Sequence, residues 1–383
     1  MKIADQVINI LNDLIKIPSS FPPGNTEEIS SYAAKRLKSA GYQTKVYTRT
    51  PPIDNVVAKM GSGKPSIVFN AHSDTIAVGN DKEWVTDPFV ATITHDCVYG
   101  VGTGNCKGSM AVQIWLAEEI ARRGGPKTGE VVFTFVGDEE NLGPDGLSYL
   151  REAKFVQPDV LICGAQTQLQ AIFEERGVIW VELMTNGTGA HAGEPEIGDN
   201  ALNRMVRMIN HIEEKLVPRI TKRRRGALRS TINIGTINGG TNTNAVPSQC
   251  RIEIDRRLLP EETISDAVNE IQEILSTSNE PRNTWSIKLL TGTKGFASPN
   301  DAPSVNAFHT AIANFTNQPI RDVVAIGASD ARYFADDNIV ALTFGPGHAK
   351  DGHKPNEFVP VDELVKAAQI QLSVIKEMLG LND

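Results

Sequence analysis

The polar residues able to do chemistry sit where apolar runs end. In SIVFNAHSDT, His72 and Asp74 follow a short apolar stretch. A histidine two residues from an aspartate suits a metal ligand whose ring is held by a carboxylate behind it. VVFTFVGDEEN runs into the adjacent acids Glu139 and Glu140. Neighbouring carboxylates in a turn point in different directions, so one can bind a metal while the other works as a base. GTGAHAGEP places His191 in a glycine-rich loop, and GPGHAKDGHKPNE carries His348 and His353. Each motif alone is a weak signal, because paired acids and lone histidines are common on solvated surfaces. Together, in one chain, they are far more specific.

The elements that must position these residues are legible in outline. Residues 4–16 have apolar positions at helical spacing. TEEISSYAAKRLKSAG opens with acids and stops at Gly41, as a helix does. SMAVQIWLAEEIARRGG predicts a long helix ending at Arg-Arg-Gly-Gly. NVVAKM, SIVFNAH, GEVVFTFV and PDVLICG read as short apolar strands. Strands alternating with helices predict an α/β class: a mixed, mainly parallel sheet flanked by helices. Chemistry in such sheets collects at the carboxyl ends of strands, where His72, Glu139 and Glu140 fall.

The pattern changes after Gly177. GVIWVELMTNG, STINIGTINGG and CRIEIDRRLLP alternate like half-exposed strands, and helices are expected at NALNRMVRMINHIEEKL and ISDAVNEIQEILSTS. The α/β pattern returns near residue 292, in VVAIGASDARYFADD and NIVALTFGPG. Residues 178–291 are therefore expected to form an inserted α+β sandwich. Residues 1–177 and 292–383 form a discontinuous catalytic domain. The basic run KRRR (222–225) reads as a solvated loop, with contact to an acidic substrate or partner as the other reading.

Bulk properties exclude some classes. The chain of 383 residues carries a net charge of −8, which argues against a general nucleic-acid binder. Cys97, Cys106, Cys163 and Cys250 show no CxxC spacing and are expected to be free thiols in a reducing compartment. The first twenty residues lack the features of a signal peptide, and no apolar run approaches a membrane span of roughly 18 residues. A soluble, cytoplasmic protein without membrane contact is expected.

The ordered motifs AHSDT, GTGNCKG, GDEEN, GTGAHAGEP, GDNAL, GGTNTNAVP, DRRLLP, GASDARYF and GPGHAKDGHKPNE span essentially the whole chain. In them the chain resembles the zinc aminoacylases and exopeptidases that include carboxypeptidase G, acetylornithine deacetylase and succinyl-diaminopimelate desuccinylase. The resemblance implies a catalytic α/β domain with an inserted lid that often mediates dimers. It implies that His72 holds one metal, that Glu140 and His353 hold another, and that Glu139 is the general base. It implies that Asp74 orients His72 and that His191 polarises the scissile carbonyl. Asn244 and Arg257 match substrate-contacting positions, and the loop with Gly345 and Gly347 lines the pocket. His348 lies outside the matched pattern and reads as a surface residue.

Two ligands of that pattern are absent. The bridging aspartate falls on Asn105, and a glutamate in a later turn falls on Ala165. A neutral amide binds one cation weakly and cannot bridge two as a carboxylate does. Two dications close together repel strongly unless anionic ligands lie between them. One divalent ion per chain is expected (Zn or Mn, with Fe also suited), drawn from His72, Glu140, His353 and Asn105; a second ion is doubtful. Cys106 and Cys163 either replace a lost ligand as thiolates or are buried small hydrophobes.

The expected function is metal-dependent hydrolysis of an amide-type C–N bond in a small, carboxylate-bearing substrate, by a homodimer. The alternatives are hydrolytic deamination of an amino-aromatic acid, a non-catalytic protein that keeps the pocket, and a metal-free lyase or isomerase.

Overall fold

A computed structural model describes residues 2–299, 301–317, 325 and 327–382. Contacts divide the chain into two units, one of Met1–Phe173 with Ala297–Asp383 and one of Glu174–Phe296.

The first unit is built on a six-stranded sheet. Its strands run in the order Val340–Phe344, Val160–Gly164, Ser66–His72, Glu130–Val136, Asp54–Gly61 and Gln43–Thr48. The first four are mutually parallel and the last two pair antiparallel. The sheet is thus mixed and mainly parallel. Every residue of Ser66–His72 is buried. Such strands have helices on both faces, so they read as continuous apolar runs rather than alternating ones. The covering helices are Ile3–Ile15, Glu27–Ser39, Lys107–Arg122, Pro303–Thr316 and Val361–Leu379. Ile3–Ile15 buries Val7, Ile10, Leu11 and Leu14, the 3–4 spacing of a single helical face. Phe69 and Phe133 stack in the core at 5.2 Å between ring centroids, each burial stabilising by roughly 1.5–3 kcal/mol.

Sheet register positions the chemistry. His72 pairs with Val136, so the Asp138–Glu140 turn emerges beside His72. Gly164 pairs with Phe344, so the turn at Ala165 emerges beside Gly345. The VVAIG part of the expected α/β return lies largely outside the described residues; Asp330–Phe334 is a short 3-10 turn.

The second unit is a four-stranded antiparallel sheet in the order Thr231–Gly239, Gln249–Leu258, Gly177–Asn186, Trp285–Thr293. Ile179, Val181 and Leu183 face the core that includes helices Ala201–Lys215 and Ile264–Ser276, while Trp180 on the alternate face is exposed. Asn200 caps one helix by accepting from the N–H groups of Leu202 and Asn203, and Thr263 caps the other through Asp266 N–H. Trp285–Thr293 is absent from the strands expected from sequence, because it is a largely exposed edge with little apolar alternation. It runs on to Thr293, opposite Val178, so the compact unit extends beyond the 178–291 span read from the pattern.

The KRRR run is not a loose loop. Arg224–Arg225 pair with Leu228–Arg229 as a two-stranded ribbon. Arg223 bonds Glu262 and Glu270, and Arg225 bonds Glu174. No helix among the described residues is long and apolar enough to cross a membrane.

Candidate active site

His72 ends its strand and is buried, at 5% exposure. Its Nδ1 lies 2.9 Å from the backbone carbonyl oxygen of Asp74 and 3.5 Å from Asp74 Oδ1. The carbonyl, rather than the carboxylate expected to orient the ring, is thus the nearer partner. The carboxylate instead accepts from Glu140 N–H through Oδ2 at 3.0 Å, which ties the Glu139–Glu140 turn to the His72 strand. Asp74 therefore positions both sides of the cluster.

The turn holding Asn105 is built around a buried glutamate. Glu357 accepts from the N–H groups of Gly102 and Gly104 at 2.9 Å each and Asn105 at 2.7 Å. Burial pushes the Glu357 carboxyl up to about 7, against these three donors and His353. Lys107, fully buried two residues on, donates to Ile17 O at 2.8 Å; burial lowers its pKa to about 7.

Asn105 lies at the centre of the cluster. Its Oδ1 is 3.3 Å from His72 Nε2, and its Nδ2 donates to Glu140 Oε1 at 2.6 Å and lies 2.8 Å from His353 Nε2. His353 Nε2 is itself 2.9 Å from Glu140 Oε1. The side chain of His353 is half-exposed and its backbone is left-handed, with φ 59°.

Glu139 faces a different set of groups. Its Oε2 is 3.9 Å from His72 Nε2, and its Oε1 is 3.5 Å from Arg332 Nη1. Burial pushes the Glu139 carboxyl up to about 7, with His72 and Arg332 pulling it down and Asp330 and Glu140 pushing it further up. A carboxylate poised near neutrality suits a proton acceptor. Burial opposes a charge on His72, but Cys106, Glu139 and Asp74 outweigh it and hold its pKa well above the usual histidine range. The Glu140 contact raises His353. Asp330 and Arg332 were not assigned roles from sequence, although GASDARYF was among the matched motifs. Asp330 is buried, accepts from Asn70 Nδ2 at 3.1 Å and lies 3.6 Å from Arg332.

Ala165, on which the resemblance places the second absent ligand, has no side-chain donor. Its neighbour Gln166 fills space between two ligand turns. A Cβ on Gly104, which precedes Asn105, would overlap the Gln166 amide, and one on Gly352, which precedes His353, would lie 2.5 Å from Gln166 Nε2. Gly345 and Gly347 serve the same packing. Gly345 N–H donates to Thr167 Oγ1 at 3.0 Å and its own Cβ would strike the Ala165 carbonyl. Gly347 has φ +87° and donates to Glu363 at 2.7 Å. His348 is partly buried, and its ring accepts from Lys350 N–H at 3.2 Å.

The donor set can hold a divalent ion. His72, Glu139 and Glu140 offer ligand atoms within 4.8 Å of one another. His353 does not join that set, so His72 and His353 are not gathered around a single point as the expected two-histidine, one-carboxylate arrangement requires. Two ions would need anionic bridging where Asn105 presents an amide. Neither cysteine joins the donors. Cys106 is fully buried beside Gly164 and Ser109, burial raises its pKa, and Cys163 is buried on its strand.

In the second unit, His191 and Asn244 come together. Ala192 N–H donates to Asn244 O at 3.0 Å, and His191 pairs with Ala245. Both side chains are exposed. Arg257 does not join them. It lies opposite Val178, seven residues along the strand from Cys250 beside the Asn244 loop, roughly 24 Å away by strand rise.

Comparison with known proteins agrees with this geometry. Residues 68–377 match the family model described as Peptidase family M20/M25/M40. The chain is 24% identical over 409 residues to N-formyl-4-amino-5-aminomethyl-2-methylpyrimidine deformylase of Halalkalibacterium halodurans, covering 98% of this chain and 95% of that one. It is 23% identical over 398 residues to a probable succinyl-diaminopimelate desuccinylase of Staphylococcus epidermidis, covering 97% of each. Its fold matches the M20 family metallo-carboxypeptidase Sso-CP2 of Sulfolobus solfataricus with a TM-score of 0.81 at 17% identity, covering 97% of this chain and 99% of that one. It also matches the YXEP protein of Bacillus subtilis, a dinuclear metal-binding peptidase, with a TM-score of 0.72 at 17% identity and 98% coverage of each. The chain belongs to peptidase family M20/M25/M40, a metal-dependent family, and is a hydrolase acting on amide-type C–N bonds.

Proposed function

We propose that this chain hydrolyses the amide bond of a small, carboxylate-bearing N-acyl compound with one divalent ion, Zn or Mn, in place of two. The observation that carries this reading is the Asn105 amide, whose nitrogen donates to Glu140 and lies beside His353 where a bridging carboxylate would stand. Ala165 removes a further anionic ligand. Glu140 and His353, already 2.9 Å apart, would hold the ion, with Asn105 as a weak third ligand. When bound, such an ion would supply Lewis-acid chemistry towards water and the scissile carbonyl. Glu139 accepts the proton from the attacking water and returns it to the leaving amine. Arg332 and His72 keep that carboxylate charged when it is needed, and Asp74 fixes the turn that carries it. By resemblance, His191 and Asn244 serve the developing oxyanion, Arg257 the substrate, and the inserted unit a homodimer.

A second reading of the ion's seat rests on the His72, Glu139 and Glu140 cluster, in which Glu139 is a ligand. Elemental analysis after Mn or Zn reconstitution separates these readings. One ion per chain is expected, retained by Glu139→Gln and lost by His353→Ala. Loss from Glu139→Gln with retention in His353→Ala moves the ion to the second seat. Two ions in the unaltered chain overturn the mononuclear reading. Hydrolysis is tested with a panel of N-acyl amino acids in ¹⁸O water, where label must enter the released carboxylate. His191→Ala should lower kcat, and sedimentation velocity reports the dimer.

A further inference from the structure

The two oxygens of Glu139 meet different groups. Oε2 lies 3.9 Å from His72 Nε2, and Oε1 lies 3.5 Å from Arg332 Nη1. Glu139 therefore stands between a histidine of the metal-ligand pattern and a fixed cation. Two roles are within its reach. With His72 and Glu140 it presents ligand atoms within 4.8 Å of one another, close enough to take an ion itself. A glutamate bound to an ion is less basic, because the ion's charge favours its ionised form, and it serves poorly as a proton acceptor.

Arg332 is built firmly into its place. Its side chain is 2% exposed. Nη2 donates to the Tyr333 hydroxyl at 2.9 Å and lies 3.6 Å from Asp330 Oδ1, and Nη1 donates to the Ala328 carbonyl at 3.4 Å. Asp330 is anchored in turn. Its Oδ2 accepts from Asn70 Nδ2 at 3.1 Å, and Asn70 Oδ1 accepts from the Thr134 hydroxyl at 2.8 Å. Asn70 precedes His72 by two residues on one strand, so the two share a face of the sheet. The Tyr333 hydroxyl donates onward to the Gly143 carbonyl at 2.7 Å. Gly143 closes the turn that carries Glu139 and Glu140, donating its N–H to Asp138 O at 3.0 Å. One run of contacts thus joins the His72 strand to the acidic turn, and the guanidinium is its middle.

A guanidinium stays charged when buried and needs carboxylates near it. Among the described residues, Arg332 pairs with Asp330 and Glu139 and not with Glu140. A metal ion on Glu139 would compete with Arg332 for the same carboxylate and meet its positive charge at close range.

We propose that Arg332 is a positioning residue that holds Glu139 off the metal ion, so that Glu139 is the proton acceptor and Glu140 alone of the two acids is a ligand. The inference rests on the proposed hydrolysis with Glu139 as base and extends it: without the guanidinium, the same glutamate becomes a ligand.

The experiment is titration of the chelator-stripped full chain with Mn²⁺ alone, the free ion being read by electron paramagnetic resonance. It runs alongside kcat and KM on whichever N-acyl amino acid of the panel is cleaved fastest. Arg332→Gln should bind Mn²⁺ about tenfold tighter than the unaltered chain, the scale on which groups behind the ligands act on metal affinity. Its kcat should fall by about a hundredfold with KM little changed. Adding Glu139→Gln to Arg332→Gln should abolish the gain in affinity. Arg332→Lys, which keeps a cation, should stay near the unaltered affinity and recover part of kcat. Tyr333→Phe, a milder change that frees one end of the guanidinium, should shift affinity the same way by a smaller factor, and it carries the test if Arg332→Gln does not fold. A purely bracing role predicts equal or weaker binding in these variants, and that result overturns the proposal, as does a gain that survives Glu139→Gln. An unaltered chain that neither binds Mn²⁺ nor cleaves the panel defeats the one-ion reading and this inference with it. A chain that binds and cleaves while Arg332→Gln binds no tighter defeats this inference alone.

Discussion

The side-chain nitrogen of Asn105 sits 2.6 Å from the Glu140 carboxylate, so an amide donor faces that anion at the centre of the cluster. An amide there satisfies Glu140 in the absence of metal. A carboxylate there would leave two anions in contact unless a cation lay between them.

Asn105→Asp follows directly. Without added metal the variant should be less stable by about 1–3 kcal/mol, because a donor has become an acceptor facing Glu140. With Zn or Mn the order should reverse, since an ion bound only by the folded chain adds about 2.7 kcal/mol at a hundredfold excess over its dissociation constant. Differential scanning calorimetry with and without metal reads both. An equal metal response in the two proteins would count against Asn105 as the residue that limits metal binding.

Gly104 and Gln166 should be energetically coupled. Gly104→Ala pushes a methyl into the Gln166 amide and to 3.0 Å from Glu357 Oε1. A loss of about 1–3 kcal/mol is expected for this overpacking. Gln166→Ala should recover most of it, giving a coupling of about 1 kcal/mol or more in urea denaturation. Additive losses would show that the Gln166 side chain does not set the space between the two ligand turns.

Glu357→Gln tests how the Asn105 turn is held. Three backbone N–H groups converge on the two carboxylate oxygens, and the variant turns one end of the group into a donor. A destabilisation of about 1–3 kcal/mol is expected, with weaker metal retention because Asn105 moves. Unaltered unfolding and unaltered metal content would reject this role.

Glu262 links stability to pH in the inserted unit. Burial raises its pKa, but the Ser230 hydroxyl, Leu259 N–H, Arg223 and Arg256 outweigh it, so the folded value is depressed. A depressed carboxylate stabilises the fold at pH above its unfolded value of about 4.3, and that contribution disappears as pH falls through the folded value. Glu262→Gln should cost about 3 kcal/mol at neutral pH, because Arg256 is 0% exposed and loses a charged partner. The difference between variant and parent should shrink below pH of about 4. A pH-independent difference would mean that the loss is one of packing alone.

Much of this protein is legible in its sequence. SIVFNAH and GEVVFTFV are apolar throughout because parallel strands bury both faces, and the acids and histidine that follow mark strand ends where chemistry collects. Set against the family pattern, two positions expected to carry anionic ligands fall on Asn105 and Ala165. Other features belong to the tertiary structure. Which oxygen of Asp74 meets His72, and that His353 meets Glu140 without joining His72 and Glu139, depend on turns whose geometry is set by distant partners such as Glu357. Trp285–Thr293 escaped detection because an exposed edge carries little hydrophobic alternation. Asn70 and Asp330 stand 260 positions apart in the chain, and only their contact in the folded unit brings the Arg332 guanidinium to Glu139. Local patterns record burial and turn chemistry. The balance of charges is decided by register, which no single segment contains.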